Sequence, residues 1–247
     1  MTSPTQTTTP TIMQTTTQTT TQTPSRFPLP SLADQAERLI ELGVVPAPAP
    51  DGRQLSADDL RSAARRLEAM APAGSLLVVH PRVVPPSALA PHLRLTTPDG
   101  ERPGFVVVDM HDVDDFAPVE GVEVPDADVY AVAAPDRGDE MANWAPEEAQ
   151  PAIDARGRTP LTLAEGIHWV LQAPGLLERN LCFMTIGSRL RKPNGRFDAR
   201  TPAIWISNGT GRDGRERRGA PKVGWCWWRN RHTWLGFASA EGRVTTA

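Results

Sequence analysis

Five of the seven tryptophans lie in one stretch near the carboxy terminus, between Trp205 and Trp234. Alternate residues of a strand point to opposite faces of a sheet, so Trp225 and Trp227 are predicted to share a face. Indole rings beside a few polar groups are a common design for a ligand site. We therefore predict a non-catalytic small-molecule or peptide site whose candidate residues are Trp225, Trp227, Asn230, His232, Trp234 and Arg189. The alternative is that these tryptophans fill the core of a small sheet.

A second class of chemistry is nucleophilic catalysis by Cys226 with His232 as its base. The two residues are six apart across a predicted turn, and Arg229 and Arg231 supply positive charge that favours a thiolate. Against this, Cys226 stands between two tryptophans, where a buried inert thiol is the ordinary outcome. No known nucleophile motif surrounds it. The sequence alone leaves open whether the protein is an enzyme.

A third class is single-stranded nucleic-acid binding, because arginines are interleaved with the aromatic residues. From Leu176 onward the chain has fourteen Lys/Arg against five Asp/Glu, and the preceding part has twelve against twenty-four. The acidic part would repel a nucleic acid, and no recognised binding module is present. We expect no nucleic-acid partner; the charge asymmetry equally allows the two halves of the chain to attract each other.

Metal and cofactor motifs are missing from the sequence. Cys182, Cys226 and His232 lack the paired spacing of strong zinc sites. The acidic run 109–115 lacks the glycine and the terminal glutamate of a calcium loop, so we interpret it as a solvated turn. There is no phosphate loop, dinucleotide fingerprint or Gly-x-Ser-x-Gly elbow. We expect no metal and no cofactor.

These residues must be positioned by a small number of helices. Apolar residues at helical spacing predict a first helix from about Ser31. Ser56, with Asp59 three residues later, predicts the start of a second helix. Thr162 and Glu165 form a capping box that predicts a third helix in the middle of the chain.

Strands are predicted to dominate the end of the chain. The β-prone segments are 75–79, 105–108, 129–133, 181–186, 203–206, 223–228 and 232–238. The segment 105–108 (FVVV) is typical of a buried strand, and the last connections are typical of hairpins. The predicted fold class is α+β, with N-terminal helices, one mid-chain helix and a mainly antiparallel C-terminal sheet.

The first part of the chain differs sharply in composition. Residues 1–25 contain thirteen Thr and four Gln and carry no charged side chain, so they cannot bury enough apolar surface to offset ordering. We predict a disordered Thr/Gln/Pro-rich tail over 1–30 and a single α+β domain over 31–247. The tail has no signal-peptide pattern, and no apolar run is long enough to span a membrane. With only two cysteines, we expect a cytoplasmic protein.

Several segments resemble an uncharacterised family of actinobacterial proteins, a domain of unknown function. They are 157–162, 183–189, 202–207, PKVGWCW at 221–227, Asn230, and HTWLG at 232–236. The resemblance implies a soluble cytoplasmic protein and carries no established activity, cofactor or catalytic residue. Arg231 stands where the family tends to have Pro. Segments 190–198 and 208–219 look like insertions. The second contains an Arg-rich loop (Arg212, Arg215, Arg217 and Arg218), and the resemblance implies that this loop is not a shared site.

Overall fold

The computed structural model describes residues 27–48, 52 and 54–246. The α-helices within these residues are α1 (Leu32–Glu41), α2 (Ala57–Glu68), α3 (Pro86–Leu89), α4 (Pro146–Ala155) and α5 (Leu163–Gln172). Short 3-10 turns span Ala90–His92, Val113–Asp115, Asp139–Met141, Pro174–Leu176, Gly211–Asp213 and Arg215–Arg217. None of the helices in the described part of the chain has the length and apolar character needed to cross a bilayer.

The strands are short and fall into several sheets. The first eight are β1 (Ala47–Pro48), β2 (Gln54–Leu55), β3 (Leu76–Val79), β4 (Arg94–Thr97), β5 (Gly100–Pro103), β6 (Phe105–Val106), β7 (Phe116–Pro118) and β8 (Val129–Ala133). The others are β9 (Thr159–Pro160), β10 (Cys182–Met184), β11 (Ser188–Leu190), β12 (Arg200–Ile206), β13 (Pro221–Trp227), β14 (Leu235–Phe237), β15 (Ser239–Ala240) and β16 (Gly242–Val244). Helices and mostly antiparallel strands confirm the α+β class.

The three predicted helix starts are confirmed. The Ser31 hydroxyl accepts from the backbone N–H of Asp34 at the start of α1. Ser56 and Asp59 form a reciprocal capping box at α2, and Thr162 and Glu165 form another at α5. Each box satisfies backbone donors that a helix leaves unpaired at its first turn.

Helix α5 is the centre of the molecule. All ten of its residues are buried, because it packs against β3 on one side and against β12 on the other. Gly166 allows the close approach: a Cβ at this position would lie 2.5 Å from Thr185 Cγ2 and 3.2 Å from the Phe183 ring. The sequence therefore places its smallest residue where the helix meets the C-terminal sheet.

That sheet has five strands in the order β14-β10-β12-β13-β6. In the β12–β13 register, Ile204 opposes Val223, Pro202 opposes Trp225 and Arg200 opposes Trp227. Opposed side chains share a face, so these six project on the face that α5 covers. The other face carries the alternate residues of both strands: Thr201, Ala203, Trp205, Lys222, Gly224 and Cys226.

The sheet differs from the prediction in its outer pairings. The predicted strand 105–108 ends at Val106, and Val108 is 65% exposed, because the chain turns at 108–109. Strand β14 does not form a hairpin with β13. Residues 228–234 carry the chain past β12 and β10, and β14 then pairs parallel to β10. Strand β6 likewise pairs parallel to β13.

The described part of the chain starts within the predicted tail. Residues 1–26 of that tail lie outside the described residues. Phe27 and Leu29 pack against the hydrophobic core. Gln35 Nε2 donates to the Pro30 carbonyl at 2.9 Å. The residues just before Ser31 therefore contact the domain.

Candidate functional site

Trp225 and Trp227 form an edge-to-face pair at the end of β13. Their ring centroids are 4.5 Å apart and the ring planes are inclined by 66°. Trp225 is half-buried, whereas Trp227 remains 46% exposed. The cross-strand neighbour of Trp227 is Arg200, whose guanidinium turns instead to Asp112, with Nη2 2.6 Å from Oδ2. An indole is thus left accessible at the end of the sheet.

His232 and Trp234 lie on the opposite face, together with Trp205. The Trp234 ring centroid is 6.1 Å from that of Trp205 and 5.3 Å from that of His232. Trp205 lies across Gly224, where an added Cβ would be 2.6 Å from Trp205 Cη2. Burial lowers the pKa of His232, so its imidazole is neutral at pH 7. This second aromatic group is half-buried throughout.

Asn230 is exposed on the loop 228–234 that connects β13 to β14. Two arginines of this loop hold it against the first turn of α4. Arg229 Nε lies 3.0 Å from Glu147 Oε2, and Arg231 is ion-paired with Glu148. Exposed charge pairs therefore link the loop to α4, and Asn230 on the loop faces solvent.

Arg189 lies in β11 and is only 7% exposed. Its Cζ is 4.0 Å from the Trp228 ring centroid and 5.1 Å from that of Phe197. Nη2 donates to the Asp198 carbonyl at 2.6 Å, and Nε is buried without a hydrogen-bond partner. Burial lowers the pKa of Arg189 to about 10, against the opposing effect of the Asp198 charge.

The six predicted site residues thus fall into separate groups. Trp225 and Trp227 contact each other on the α5 face, and His232 and Trp234 contact each other on the opposite face. The aromatic partners that the prediction omitted are Trp205, Trp228 and Phe197. The alternation of side chains along a strand could have assigned the tryptophans to the two faces of the sheet. No signal in the sequence could have shown the contact of Phe197 with Arg189, because only the tertiary structure brings them together.

The structure does not activate the Cys226 thiol. Its side chain is buried, and burial raises the pKa of Cys226 to about 12, although the charge of Lys222 acts in the opposite direction. A nucleophilic cysteine needs the reverse, a lowered pKa in an accessible electropositive site. Cys182 is also buried, and burial raises its pKa to about 11. Both thiols are protonated at neutral pH.

The acidic run 109–115 forms successive turns in which Asp114 and Asp115 are exposed, and three of its four carboxylates have protein partners. Asp109 is 3.0 Å from Arg212, Asp112 accepts both terminal nitrogens of Arg200, and Asp114 accepts from Ser87. Across the described residues, no three His, Cys, Asp or Glu side chains are grouped to hold a metal ion.

Arginines of the last third of the chain pair with acids of the first two thirds. These pairs are Arg200–Asp112, Arg212–Asp109, Arg229–Glu147, Arg231–Glu148 and Arg243–Glu165. The Arg-rich loop is itself anchored by Asp213, which accepts from Ser207 Oγ at 2.7 Å and lies 2.8 Å from Lys222 Nζ. These ion pairs therefore link the acidic earlier part of the chain to its basic last part.

Two clefts lie away from the tryptophans. One of about 440 Å³ is lined by residues of α2 and β8, including Asp59, Arg66 and Val129. The other, of about 430 Å³, is beside β16 and is lined in part by Arg243 and Thr245. None of the six predicted site residues lines either cleft.

Comparison with known proteins gives a family but no activity. No curated protein and no solved structure matches the chain. The model of a family of unknown function (DUF5701) matches residues 38–246, which include every helix except the start of α1 and every strand described above. The chain therefore belongs to DUF5701, a family of unknown function.

Proposed function

We propose that the protein is a non-catalytic binding domain for a small molecule or a peptide, with the Trp225–Trp227 pair as its contact surface. The observation that carries the proposal is the position of Trp227. Its indole is 46% exposed although its neighbour Cys226 is buried, and the opposing Arg200 is committed to Asp112. A ligand with a planar apolar group would cover this ring.

The energetics favour such an occupant. Covering apolar surface contributes about 25 cal/mol per Å², and an edge-to-face aromatic contact adds about 0.5–1.5 kcal/mol. Trp225 and Trp227 contact each other edge to face, so the exposed indole of Trp227 is oriented before a ligand binds. Asn230 on the following loop offers a polar group for the same ligand.

The competing functions have weaker support. An enzyme that uses Cys226 would need a thiolate, and burial of the thiol opposes one. A nucleic-acid site at the Trp225–Trp227 pair would need free arginines there, but Arg200 is paired with Asp112, and Arg229 and Arg231 are paired with glutamates. The two unpaired cysteines are in keeping with a reducing, cytoplasmic compartment.

Saturation-transfer NMR with N-acetylphenylalaninamide as the probe tests the proposal. Wild type and Trp144→Ala should both transfer saturation to the phenyl ring, and Trp227→Ala should lose most of that transfer. Trp144 is the matched control, because it is 37% exposed and lies near α4. Equal transfer to all three proteins, or none to wild type, contradicts the proposal.

A further inference from the structure

Arg189 is a buried cation without a carboxylate partner. The residue is 7% exposed, and no described Asp or Glu oxygen lies within ion-pair distance of its guanidinium. A guanidinium carries five N–H donors, and the one hydrogen bond it makes within the described part of the chain is from Nη2 to the Asp198 carbonyl. Burying a charge this way is costly unless something compensates it.

The nearest carboxylate is already used. Asp198 Oδ1 accepts from the backbone N–H of Arg200 at 2.8 Å and from its Nε at 3.2 Å. The other oxygen, Oδ2, lies 3.5 Å from Lys192 Nζ. The Asp198 carboxylate therefore pairs with Arg200 and Lys192, and the buried Nε of Arg189 is left without a hydrogen-bond partner.

The surroundings of Arg189 also favour an anion. The hairpin 190–198 next to it carries Arg191, Lys192 and Arg196 and only one acid, Asp198. The Arg191 guanidinium packs on Phe197, with Cζ 4.4 Å from the ring centroid. Phe197 is 38% exposed, and its ring centroid lies 5.1 Å from Arg189 Cζ, so a partly exposed ring packs on Arg189 beside these basic residues.

From this arrangement we propose that Arg189 is the anchor of an oxyanion site, for a carboxylate or phosphate group of a bound molecule. Arg189 Cζ lies 4.0 Å from the Trp228 ring centroid, so the guanidinium packs on this ring. Displacement of the Phe197 ring opens access to the Arg189 N–H groups that have no partner. A planar guanidinium binds carboxylate and phosphate oxygens in pairs. The site goes beyond the proposed binding function, because it rests on residues other than Trp225 and Trp227.

Thermal unfolding at constant ionic strength tests the site, with inorganic phosphate and N-acetylphenylalanine as separate probes. We compare wild type, Arg189→Met and Arg217→Met. Arg217 is the matched control, because its guanidinium also packs on a phenylalanine, with Cζ 4.4 Å from the Phe105 ring centroid, but it lies outside the hairpin 190–198. At ten times the dissociation constant, the probe should raise the Tm of wild type and Arg217→Met by about 3–5 °C and leave Arg189→Met nearly unchanged.

The two probes distinguish the sources of the oxyanion. A response to phosphate alone indicates a phosphorylated ligand, and a response to N-acetylphenylalanine alone indicates a carboxylate beside an aromatic group. Equal Tm shifts in wild type and Arg189→Met, or no shift in wild type with either probe, would overturn the site.

A second readout covers the case in which Arg189→Met fails to fold. The Nε–Hε resonance of Arg189 in wild type, assigned with Arg189→Lys, should move and saturate as the probe is added. A resonance that stays in place overturns the site. Phosphate does not stack on tryptophan, so Trp227→Ala should keep the phosphate response, and the two proposals can fail separately.

Discussion

Arg243 and Glu165 form a buried bidentate ion pair, with Nε 2.6 Å from Oε1 and Nη2 2.8 Å from Oε2. Glu165 is fully buried and Arg243 almost so. The same carboxylate accepts from the Tyr130 hydroxyl at 3.0 Å and from the Thr162 backbone N–H at 2.7 Å. The Glu165 side chain thus caps α5 and links it to Tyr130 in β8 and to Arg243 in β16.

Removal of Arg243 should be strongly destabilising. In Arg243→Ala the Glu165 carboxylate keeps its neutral donors but loses its counter-charge inside the core, and we expect a loss of about 3–5 kcal/mol in the free energy of unfolding. Urea denaturation at pH 7 measures it. Arg61→Ala breaks the exposed pair with Glu37 and should cost far less, because solvent screens an exposed ion pair. Similar losses for both variants would contradict this role.

The start of a helix could be predicted where its signal lies within a few consecutive residues. Ser56 and Thr162 cap their helices as their sequence contexts indicate, because a capping box lies within four residues. Helix α4 was not predicted. It contains Pro151 in its interior, and a proline there normally argues against a helix.

The site could be predicted only in part, for a different reason. Period-two alternation correctly placed Trp225 and Trp227 together. It could not show that β14 crosses the sheet to pair with β10, which separates Trp234 from them. Nor could it show that Arg200 pairs with Asp112 and not with Trp227, because Asp112 and Arg200 lie far apart in the chain.

The close contact at Gly166 gives a prediction opposite to helix propensity. Alanine normally favours a helix over glycine by about 1 kcal/mol. Here its Cβ would be 2.5 Å from Thr185 Cγ2 and 3.3 Å from Ile204 Cδ1, so Gly166→Ala should destabilise the protein by about 1–3 kcal/mol. Thermal and urea unfolding measure the change. Gly175→Ala has no atom within 4 Å and should be nearly neutral; a stabilised Gly166→Ala would show that α5 packs less tightly.

His168 makes stability depend on pH. Its Nε2 accepts from the Val79 N–H at 3.1 Å, its Nδ1 contacts the Ala164 carbonyl at 2.8 Å, and burial lowers the pKa of His168 to about 4. The folded state thus favours the neutral ring. This stabilisation is complete above the ordinary value of 6.5 and is lost as the pH falls towards 4, by roughly 3 kcal/mol in all.

Urea denaturation between pH 7.5 and 4 measures this loss. His168→Gln removes the titrating group, so its stability should fall less steeply over that range than that of wild type. His111→Gln, at an exposed position, should keep the wild-type profile. Identical profiles for wild type and His168→Gln would refute the assignment.

The thiol of Cys226 should be unreactive in the folded protein. With its pKa raised to about 12 by burial, almost none is thiolate at pH 7.5. In Cys182→Ala, which isolates Cys226, alkylation by iodoacetamide should be more than about 100-fold slower than that of a free thiol of pKa about 8.5. Mass spectrometry follows the reaction, and unfolding in urea should restore the ordinary rate. Reaction as fast as that of a free thiol would revive the nucleophile hypothesis.

Native mass spectrometry of the protein purified from its host tests the binding function most directly. Wild type should carry a small molecule or peptide of defined mass, and Trp227→Ala purified in the same way should have lost it, with Trp144→Ala still loaded. An unliganded wild-type mass, or the same adduct on wild type and Trp227→Ala, would contradict a binding surface at the Trp225–Trp227 pair.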